Sequence, residues 1–388
     1  MDFALSAQQE SIRDAVTKIC APFDDAYWRA KDRDGGFPHE FYDAIARAGW
    51  LGICIPERFG GSGLGIVEAA IMMRAISESG AGMSGASAIH MNVFGLNPVV
   101  VFGTDEQRAR MLPAIVEGRE KACFAVTEPN TGLNTTQLKT RAVRKGDKYI
   151  VNGQKVWIST AQVAHKILLL ARTTPLEDIN NPTQGLSLFY TDLDRSKITV
   201  HEIEKMGRKA IDSNELFISD FEIPISDRIG EEGRGFEYIL HGMNPERVLI
   251  AAEGIGLGAC ALSRAAAYAK QRIVFNRPIG QNQAIQHPLA KNWIELEAAW
   301  LMTLSAAWQY DSGLPCGPAA NAAKYLAGEA GFDACQQAVM THGGFGYAKE
   351  YHVERYLREV MIPRIAPISP QLILSFIAEK VLGLPKSY

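Results

Sequence analysis

The chain has 388 residues, 47% of them hydrophobic and 21% charged, and carries a formal net charge of −3. This length predicts about two or three folded units, and the composition is typical of soluble globular proteins. Because basic residues are not in surplus, neither nucleic acid nor an anionic membrane is expected as the main partner.

The start of the chain, its apolar runs, and its cysteines and histidines indicate the cellular compartment and whether a metal is bound. The start, MDFALSAQQESIRDAV, has no early lysine or arginine and no long apolar core, so it is not read as a signal peptide. No apolar run is judged to reach the roughly 18 residues of a membrane span, so none is predicted. The six cysteines form no CxxC pair, which favours the reducing cytoplasm, and the eight histidines form no metal-ligand cluster, so no metal is expected.

Three sequence textures follow one another along the chain. Residues 1–122 show amphipathic helical patterns, as in AQQESIRDAVTKI, and predict an N-terminal helical domain. Residues 123–230 hold β-rich runs separated by turn residues and predict a central β-domain. Residues 231–388 return to long Ala-rich helical patterns and predict a C-terminal helical bundle. The predicted fold class is therefore α+β.

A tight turn is predicted inside the β-domain. In KYIVNGQKVWIS, Asn152 and Gly153 form the dipeptide that a two-residue type I′ turn prefers. We expect two strands to meet there in a hairpin.

The stretch RVLIAAEGIGLGACALSRAA fits a dinucleotide-binding fingerprint, G-x-G-x-x-A, that starts at Gly254. That fingerprint also needs an acidic residue about 20 positions later to hold the ribose. None occurs between Gly254 and Glu295, so one continuous helix is the better interpretation. Gly254 and Gly258 would then share a face and let a neighbouring helix approach closely.

The overlapping stretch MNPERVLIAAEG puts Glu246 and Arg247 on what reads as the first turn of a buried helix. A glutamate at a helix start is usually a partner of the helix dipole. From the residues alone, both this interpretation and a chemical role for Glu246 remain open.

Several stretches together point to a family. They are FAVTEPNTG at 124–132, VNGQKVWIS at 151–159, RIVFNRPIGQNQAIQHPLA at 272–290 and THGGFGYAKEYHVERYLRE at 341–359. In this order and spacing the chain resembles, over essentially its whole length, the acyl-CoA dehydrogenase family of flavoproteins. The resemblance implies FAD as the cofactor and the family's fold of a helical domain, a β-domain and a helical bundle.

The resemblance also implies which residues bind FAD. Thr127 would bond the pyrimidine edge of the flavin, Trp157 would pack beside the ring, and Ser159 would offer its hydroxyl to the N5 region. The cofactor-binding set implied by the family's positions is Val126, Thr127, Gly132, Leu133, Trp157, Ser159, Arg272, Phe275, Gln283, Met340, Gly343, Gly344, Ser369 and Gln371.

Part of this set matches positions that serve a neighbouring subunit in the family. Arg272, Phe275 and Gln283 would reach the FAD of that subunit, and an arginine fork suits a pyrophosphate. The resemblance therefore implies a homotetramer built as a dimer of dimers.

Three departures from the family pattern stand out. Met340 stands where glutamine is common, and Leu133 stands where serine is common. Pro367 falls on the position where many members carry their catalytic glutamate, and a proline cannot accept a proton.

A minority of the family, resembling the isovaleryl-CoA and long-chain members, carries the base on an earlier helix in an x-x-E-R stretch. Glu246 in NPERV falls on that position, so the resemblance implies Glu246 as the catalytic base. Leu133, Asn244 and Arg247 are the expected substrate-binding residues.

The implied reaction is FAD-dependent α,β-dehydrogenation of an acyl-CoA thioester in fatty or branched acyl catabolism. An electron-transferring flavoprotein would accept the electrons. Two alternatives stay open: a related flavoenzyme on the same scaffold (an oxidase, a monooxygenase or an acyl-CoA desulfinase), and a base-less paralogue that only binds acyl-CoA.

Overall fold

Helices form the first part of the protein. The structure is a computed structural model that describes residues 4–387. The N-terminal α-helices are α1 (Ala7–Cys20), α2 (Asp25–Asp34), α3 (His39–Arg47), α4 (Ile66–Ile76), α5 (Gly82–His90), α6 (Asn97–Phe102) and α7 (Asp105–Val116). Ser6 and Thr104 start α1 and α7 with capping boxes, in which a glutamine three residues later bonds back. The π-helical segment Met91–Gly95 follows α5 directly.

A sheet forms the second part. Its strands are β1 (Ala122–Ala125), β2 (Arg141–Lys145), β3 (Lys148–Ser159), β4 (Lys166–Arg172), β5 (Leu186–Asp192), β6 (Ile198–Glu202), β7 (Ser213–Pro224) and β8 (Arg228–Ile229). Their order is β6-β7-β3-β2-β4-β5-β8, and β1 pairs with β4 in parallel. Along β4, Leu168 and Leu170 pack into a cluster with Leu112 of α7, whereas Leu169 packs into a second cluster on the other face. The continuous apolar run KILLLAR therefore reflects a strand that is buried on both faces.

The predicted hairpin turn at Asn152-Gly153 is wrong. Both residues lie inside β3, and the turn lies earlier, at 146–147, because Lys145 of β2 pairs with Lys148 of β3. Gly146 supplies the positive φ, +63°, that such a turn requires. A Cβ on Gly153 would lie 2.4 Å from the Thr140 hydroxyl oxygen, so this glycine serves a close approach of chain segments and no turn.

Long helices form the third part, so the predicted α+β order of helices, strands and helices is confirmed. They are α8 (Gly235–Gln271), α9 (Gln283–Asp311), α10 (Gly317–His342), α11 (Val353–Glu359), α12 (Met361–Ile365) and α13 (Pro370–Lys380), with a short hairpin of β9 (Ile273–Val274) and β10 (Arg277–Pro278) after α8. Helix α8 packs against α4, α5, α9 and α10 and is the central element of the helical part.

Small residues set how closely α8 and α10 pack. A Cβ on Gly258 would lie 3.0 Å from the Cα of Gly331, and one on Gly331 would lie 2.6 Å from the carbonyl oxygen of Gly254. The prediction that Gly254 and Gly258 allow a close helix approach is confirmed. These glycines lie in the interior of α8, which excludes a strand-to-helix dinucleotide loop.

Three helical stretches are long and apolar enough to cross a membrane by length and composition: Ile66–Phe102, Gly235–Gln271 and Val353–Lys380. The statement that no apolar run reaches this length is therefore wrong. The most apolar windows of the first two stretches are 61% and 78% buried inside the protein, as expected for core helices, and that of the third is 17% buried. The absence of a membrane span remains a prediction.

The helix contact gives a stability prediction. We expect Gly331→Ala to destabilise the protein by about 1–3 kcal/mol, because the added methyl group forces α8 and α10 apart. Gly242→Ala is the matched control, since its Cβ would meet no atom closer than 3.7 Å. Alanine is the better helix former by about 0.8–1.0 kcal/mol, so the control should keep or raise stability. Thermal melts followed by circular dichroism compare the two, and equal melting temperatures would contradict the packing account.

Candidate active site

Helix α8 carries Glu246 in its interior. The helix begins at Gly235, so the expectation that Glu246 lies on a first turn is wrong. Pro245 explains the error, because a proline before a helical pattern normally marks a helix start. The interpretation of Glu246 as a partner of the helix dipole loses its basis, since that effect falls off within the first turn.

The Glu246 side chain is enclosed. The residue is 7% exposed, and its Oε2 atom has no hydrogen-bond partner among the described residues. Its Oε1 atom lies 3.7 Å from Nε2 of His90, an ion-pair contact beyond hydrogen-bond length. A buried carboxylate oxygen without a partner is unusual in a folded protein and favours a site that a ligand completes.

His90, the last residue of α5, lies between two carboxylates. Its Nδ1 atom is 2.5 Å from Oε1 of Glu253, whose side chain is fully buried on α8. Burial by itself lowers the pKa of His90, but Glu253 and Glu246 outweigh it and raise the pKa to about 10. The raised pKa favours the imidazolium form of the ring at neutral pH.

Arg208 links the β-domain to α5. It lies between β6 and β7, and its guanidinium donates to the hydroxyls of Ser87 at 3.0 Å and Ser159 at 3.1 Å. Its Nε atom is buried and has no hydrogen-bond partner within residues 4–387. Burial lowers the pKa of Arg208, and the carboxylates of Glu253 and other acidic residues oppose that shift. The hydroxyl expected at the flavin N5 region, that of Ser159, is thus oriented by a cation.

Two of the predicted substrate-binding residues, Asn244 and Arg247, lie beside Glu246 on α8. Arg247 donates through Nη1 to Oδ1 of Asn244 at 2.8 Å, while its own Nε is buried without a partner among the described residues. Lys324 of α10 donates to the carbonyl oxygens of Arg364 and Ile368, which flank Pro367. Burial lowers the pKa of Lys324 to about 8 against the opposing effect of Glu246.

A buried ion pair holds the loop that carries Thr127. The Glu128 carboxylate accepts from the backbone N–H groups of Lys139 and Thr140 and from Lys155, which is fully buried. The Lys155 ammonium also donates to the carbonyl oxygen of Val126 at 2.9 Å. Glu128, the glutamate of the sequence TEP, and its partner Lys155 therefore fix the backbone on both sides of Thr127. This contact explains why a glutamate stands at that position of the motif.

Trp157 and Ser159 end strand β3 next to that loop. Trp157 has a positive φ of +61° and is 59% exposed, an uncommon combination for a large aromatic side chain. Leu133 is also exposed, and the nearby hydroxyl of Thr131 is buried without a partner in the described part of the chain. Open apolar surface beside an orphaned polar atom fits a bound aromatic ring system.

Glycines in the predicted cofactor set line open space. A Cβ on Gly132, Gly343 or Gly344 would meet no atom within 4 Å. The protein's own packing therefore does not demand Gly132 or Gly344, and a ligand that approaches the backbone gives them a reason. The residues present fit the implied FAD.

A cleft of about 720 Å³ lies where α8 ends and α10 ends. Arg272, Gly343 and Gly344 line it, together with the stacked rings of Tyr268 and His342, whose centroids are 4.2 Å apart. The structure thus brings together three residues that the sequence analysis assigned to the cofactor, from positions far apart in the chain.

Other members of the predicted set are not among the residues that line this cleft. Phe275, in the β9–β10 hairpin, is 94% exposed, and Gln283 begins α9 at the surface. Met340 and Gln371 are exposed as well, and the Ser369 hydroxyl accepts from the N–H of Leu372 to cap α13. Their roles toward FAD remain predictions.

Sequence reasoning missed His90, Glu253 and Arg208. The sequence does contain a signal for Glu253. This residue follows Glu246 by about two helical turns, so the two lie on the same face of an otherwise apolar helix. His90 and Glu253 are 163 residues apart, and no local pattern joins them. Across residues 4–387, no group of three or more His, Cys, Asp or Glu residues could hold a metal ion.

Comparison with known proteins covers nearly the whole chain. The family model for the acyl-CoA dehydrogenase N-terminal domain matches residues 6–119, the middle-domain model matches 123–221 and the C-terminal model matches 233–382.

Relatives and a solved structure agree with these matches. Acyl-CoA dehydrogenase FadE12 of Mycobacterium tuberculosis is 36% identical over 392 residues, which cover 100% of this chain and 99% of that protein. The caffeyl-CoA reductase–Etf complex subunit CarC of Acetobacterium woodii is 34% identical over 335 residues, 85% of this chain and 86% of CarC. Butyryl-CoA dehydrogenase from Megasphaera elsdenii superposes with a TM-score of 0.91 at 27% identity, covering 98% of this chain and 100% of that one. The chain therefore belongs to the acyl-CoA dehydrogenase family of FAD-binding oxidoreductases.

Proposed function

We propose that this enzyme converts a saturated acyl-CoA thioester into the α,β-unsaturated thioester, with Glu246 as the base. One observation carries the proposal: the Glu246 carboxylate is enclosed, lies 3.7 Å from the His90 ring and has one oxygen without a partner among the described residues. A proton acceptor needs a free lone pair and access to its substrate.

The reaction removes one proton and one hydride. When bound, FAD supplies the acceptor for the hydride from the β-carbon. Glu246 takes the proton from the α-carbon, so that the electron pair left behind forms the new double bond. Arg247 follows the base directly, and its unpartnered Nε–H is available to the thioester end of the substrate. A cation there would stabilise the negative charge that develops on the thioester oxygen.

We also propose an electron-transferring flavoprotein as the electron acceptor. The relative CarC is named as a subunit of a reductase–Etf complex. The free thiols of all six cysteines support the further proposal that the enzyme works in the reducing cytoplasm.

A homotetramer, a dimer of dimers, is the proposed assembly. Apolar side chains are exposed along α9, among them Trp293, Ile294 and Trp308, and Phe275 projects from the neighbouring hairpin. Exposed apolar surface of this kind typically marks an interface between proteins. A second subunit over Phe275 and Gln283 would bring these side chains to its own FAD.

Replacement of the base is the main test. Glu246→Gln keeps the shape of the side chain but cannot accept a proton, so reduction of the bound flavin by acyl-CoA should slow by roughly 10²–10⁴-fold. Anaerobic stopped-flow absorbance measures the rate, with butyryl-, isovaleryl-, octanoyl- and palmitoyl-CoA as substrates. Glu237→Gln is the matched control, because Glu237 lies in the exposed first turn of the same helix and pairs with Arg234.

Three outcomes separate the proposal from its rivals. Wild-type rates in Glu246→Gln would remove Glu246 as the base. A wild-type protein whose flavin no acyl-CoA reduces would be a binding paralogue. Oxygen uptake that matches substrate turnover would identify an oxygen-using flavoenzyme.

Arg272 tests the cofactor cleft. Arg272→Ala should lower FAD content, because the guanidinium is the cation proposed for the pyrophosphate, while helix content should stay unchanged. Lys270→Ala removes a nearby cation at the end of α8 and is the control. Absorbance gives FAD per chain, and light scattering gives the assembly. Full FAD retention in Arg272→Ala, or a monomeric wild type with full FAD, would refute the shared site.

A further inference from the structure

Two acidic residues on α8 share one histidine from α5. Glu246 and Glu253 lie about two turns apart on the same face, and the His90 ring lies against both carboxylates, 3.7 Å from one and 2.5 Å from the other. Glu253 is fully buried, and the His90 side chain is 13% exposed. The contact lies in the packed interface of α5 and α8, so it is a buried contact and not a surface ion pair.

The proposed function uses Glu246 and leaves Glu253 without a task. Glu253 is too enclosed to meet a substrate, and its second oxygen, Oε2, has no hydrogen-bond partner among residues 4–387. A buried carboxylate destabilises a helix packing unless a cation compensates it. His90 is the cation in direct contact, so Glu253 and His90 require each other.

We infer that His90 and Glu253 are positioning residues that aim the proposed base, Glu246, at the substrate. The inference rests on the proposed function, because it gives the pair a role through Glu246. Glu253 anchors the ring through Nδ1, so that Nε2 faces the base. The ring itself need not touch the substrate.

Other charged groups also face this cluster. Arg247 follows the base on α8, and Lys324 approaches it from α10. Arg208 lies in the loop between β6 and β7, and its strongest charge interaction is with Glu253. Among the described residues, neither Arg247 nor Lys324 forms a hydrogen bond or ion pair with the Glu246 carboxylate. His90 is therefore the basic side chain in direct contact with that carboxylate.

The pair has a pH signature through His90. Burial lowers the pKa of the ring, but Glu253 and Glu246 outweigh it and raise the pKa to about 10, so the positive charge is present at neutral pH and is lost as the pH rises through that value. Flavin reduction by the wild-type enzyme should therefore fall at the alkaline end. Without Glu253 the pKa of His90 should be lower, so the fall should begin at a lower pH.

The experiment uses the FAD-loaded enzyme and the acyl-CoA from the butyryl, isovaleryl, octanoyl and palmitoyl set that reduces the wild-type flavin fastest. Anaerobic flavin reduction is measured from about pH 6 to about pH 10.5, a range that includes the ordinary pKa of an imidazole and the raised pKa of His90. His90→Gln removes the cation, and Glu253→Gln removes its anchor. His241→Gln is the matched control. This histidine lies on α8, as Glu246 and Glu253 do, and its ring forms a hydrogen bond with Asn97.

The expected result for His90→Gln is flavin reduction at least about tenfold slower than in the wild type at neutral pH, without the alkaline fall. In Glu253→Gln the alkaline fall should begin at a lower pH, and His241→Gln should keep the wild-type profile. A wild-type rate in His90→Gln, or a wild-type profile without an alkaline fall, would overturn the inference. If Glu253→Gln does not fold, His90→Gln alone decides. Glu246→Gln in the same series separates the two ideas: if it still reduces flavin at the wild-type rate, the proposed function fails as well.

Discussion

The burial of two carboxylates in the central helix is the constraint on which the site depends. Helix α8 is mostly apolar and packed on several sides, yet it carries Glu246 and Glu253 on one face. Ionised carboxylates in such a place require a compensating charge. α5 supplies it by ending at His90, next to a π-helical segment of the kind often found at functional sites. The contact between these helices is therefore electrostatic as well as apolar.

A second set of polar contacts joins this cluster to the predicted flavin residues. Arg208 bonds Ser159 of the sheet and Ser87 of α5, the helix that carries His90. On the sheet side, the buried pair of Glu128 and Lys155 fixes the loop around Thr127. Each connection crosses between elements that fold from distant parts of the chain. These contacts connect the region of Glu246, the proposed base, with the surface proposed for FAD, and the proposed transfer of a proton and a hydride from adjacent carbons requires such positioning.

Patterns in the sequence predicted the features that depend on residues close together in the chain. Composition and periodicity gave the order of helices, sheet and helices, and the spacing of Gly254 and Gly258 gave the close helix contact. Errors arose where one residue type has two uses: Gly153 reads as a turn residue but relieves a steric contact, and Pro245 reads as a helix start but lies inside α8. The pairing of His90 with Glu253 depends on tertiary structure, because each residue alone is an ordinary polar residue in a helix.

The central claim is that Glu246 exchanges a proton with the α-carbon of the substrate. The most direct measurement is the uptake of deuterium from D2O into the α-position of an acyl-CoA, followed by mass spectrometry without an electron acceptor. The account predicts uptake with the wild-type enzyme and a loss of at least roughly 100-fold in Glu246→Gln with FAD content unchanged. Uptake at the wild-type rate in Glu246→Gln would contradict it.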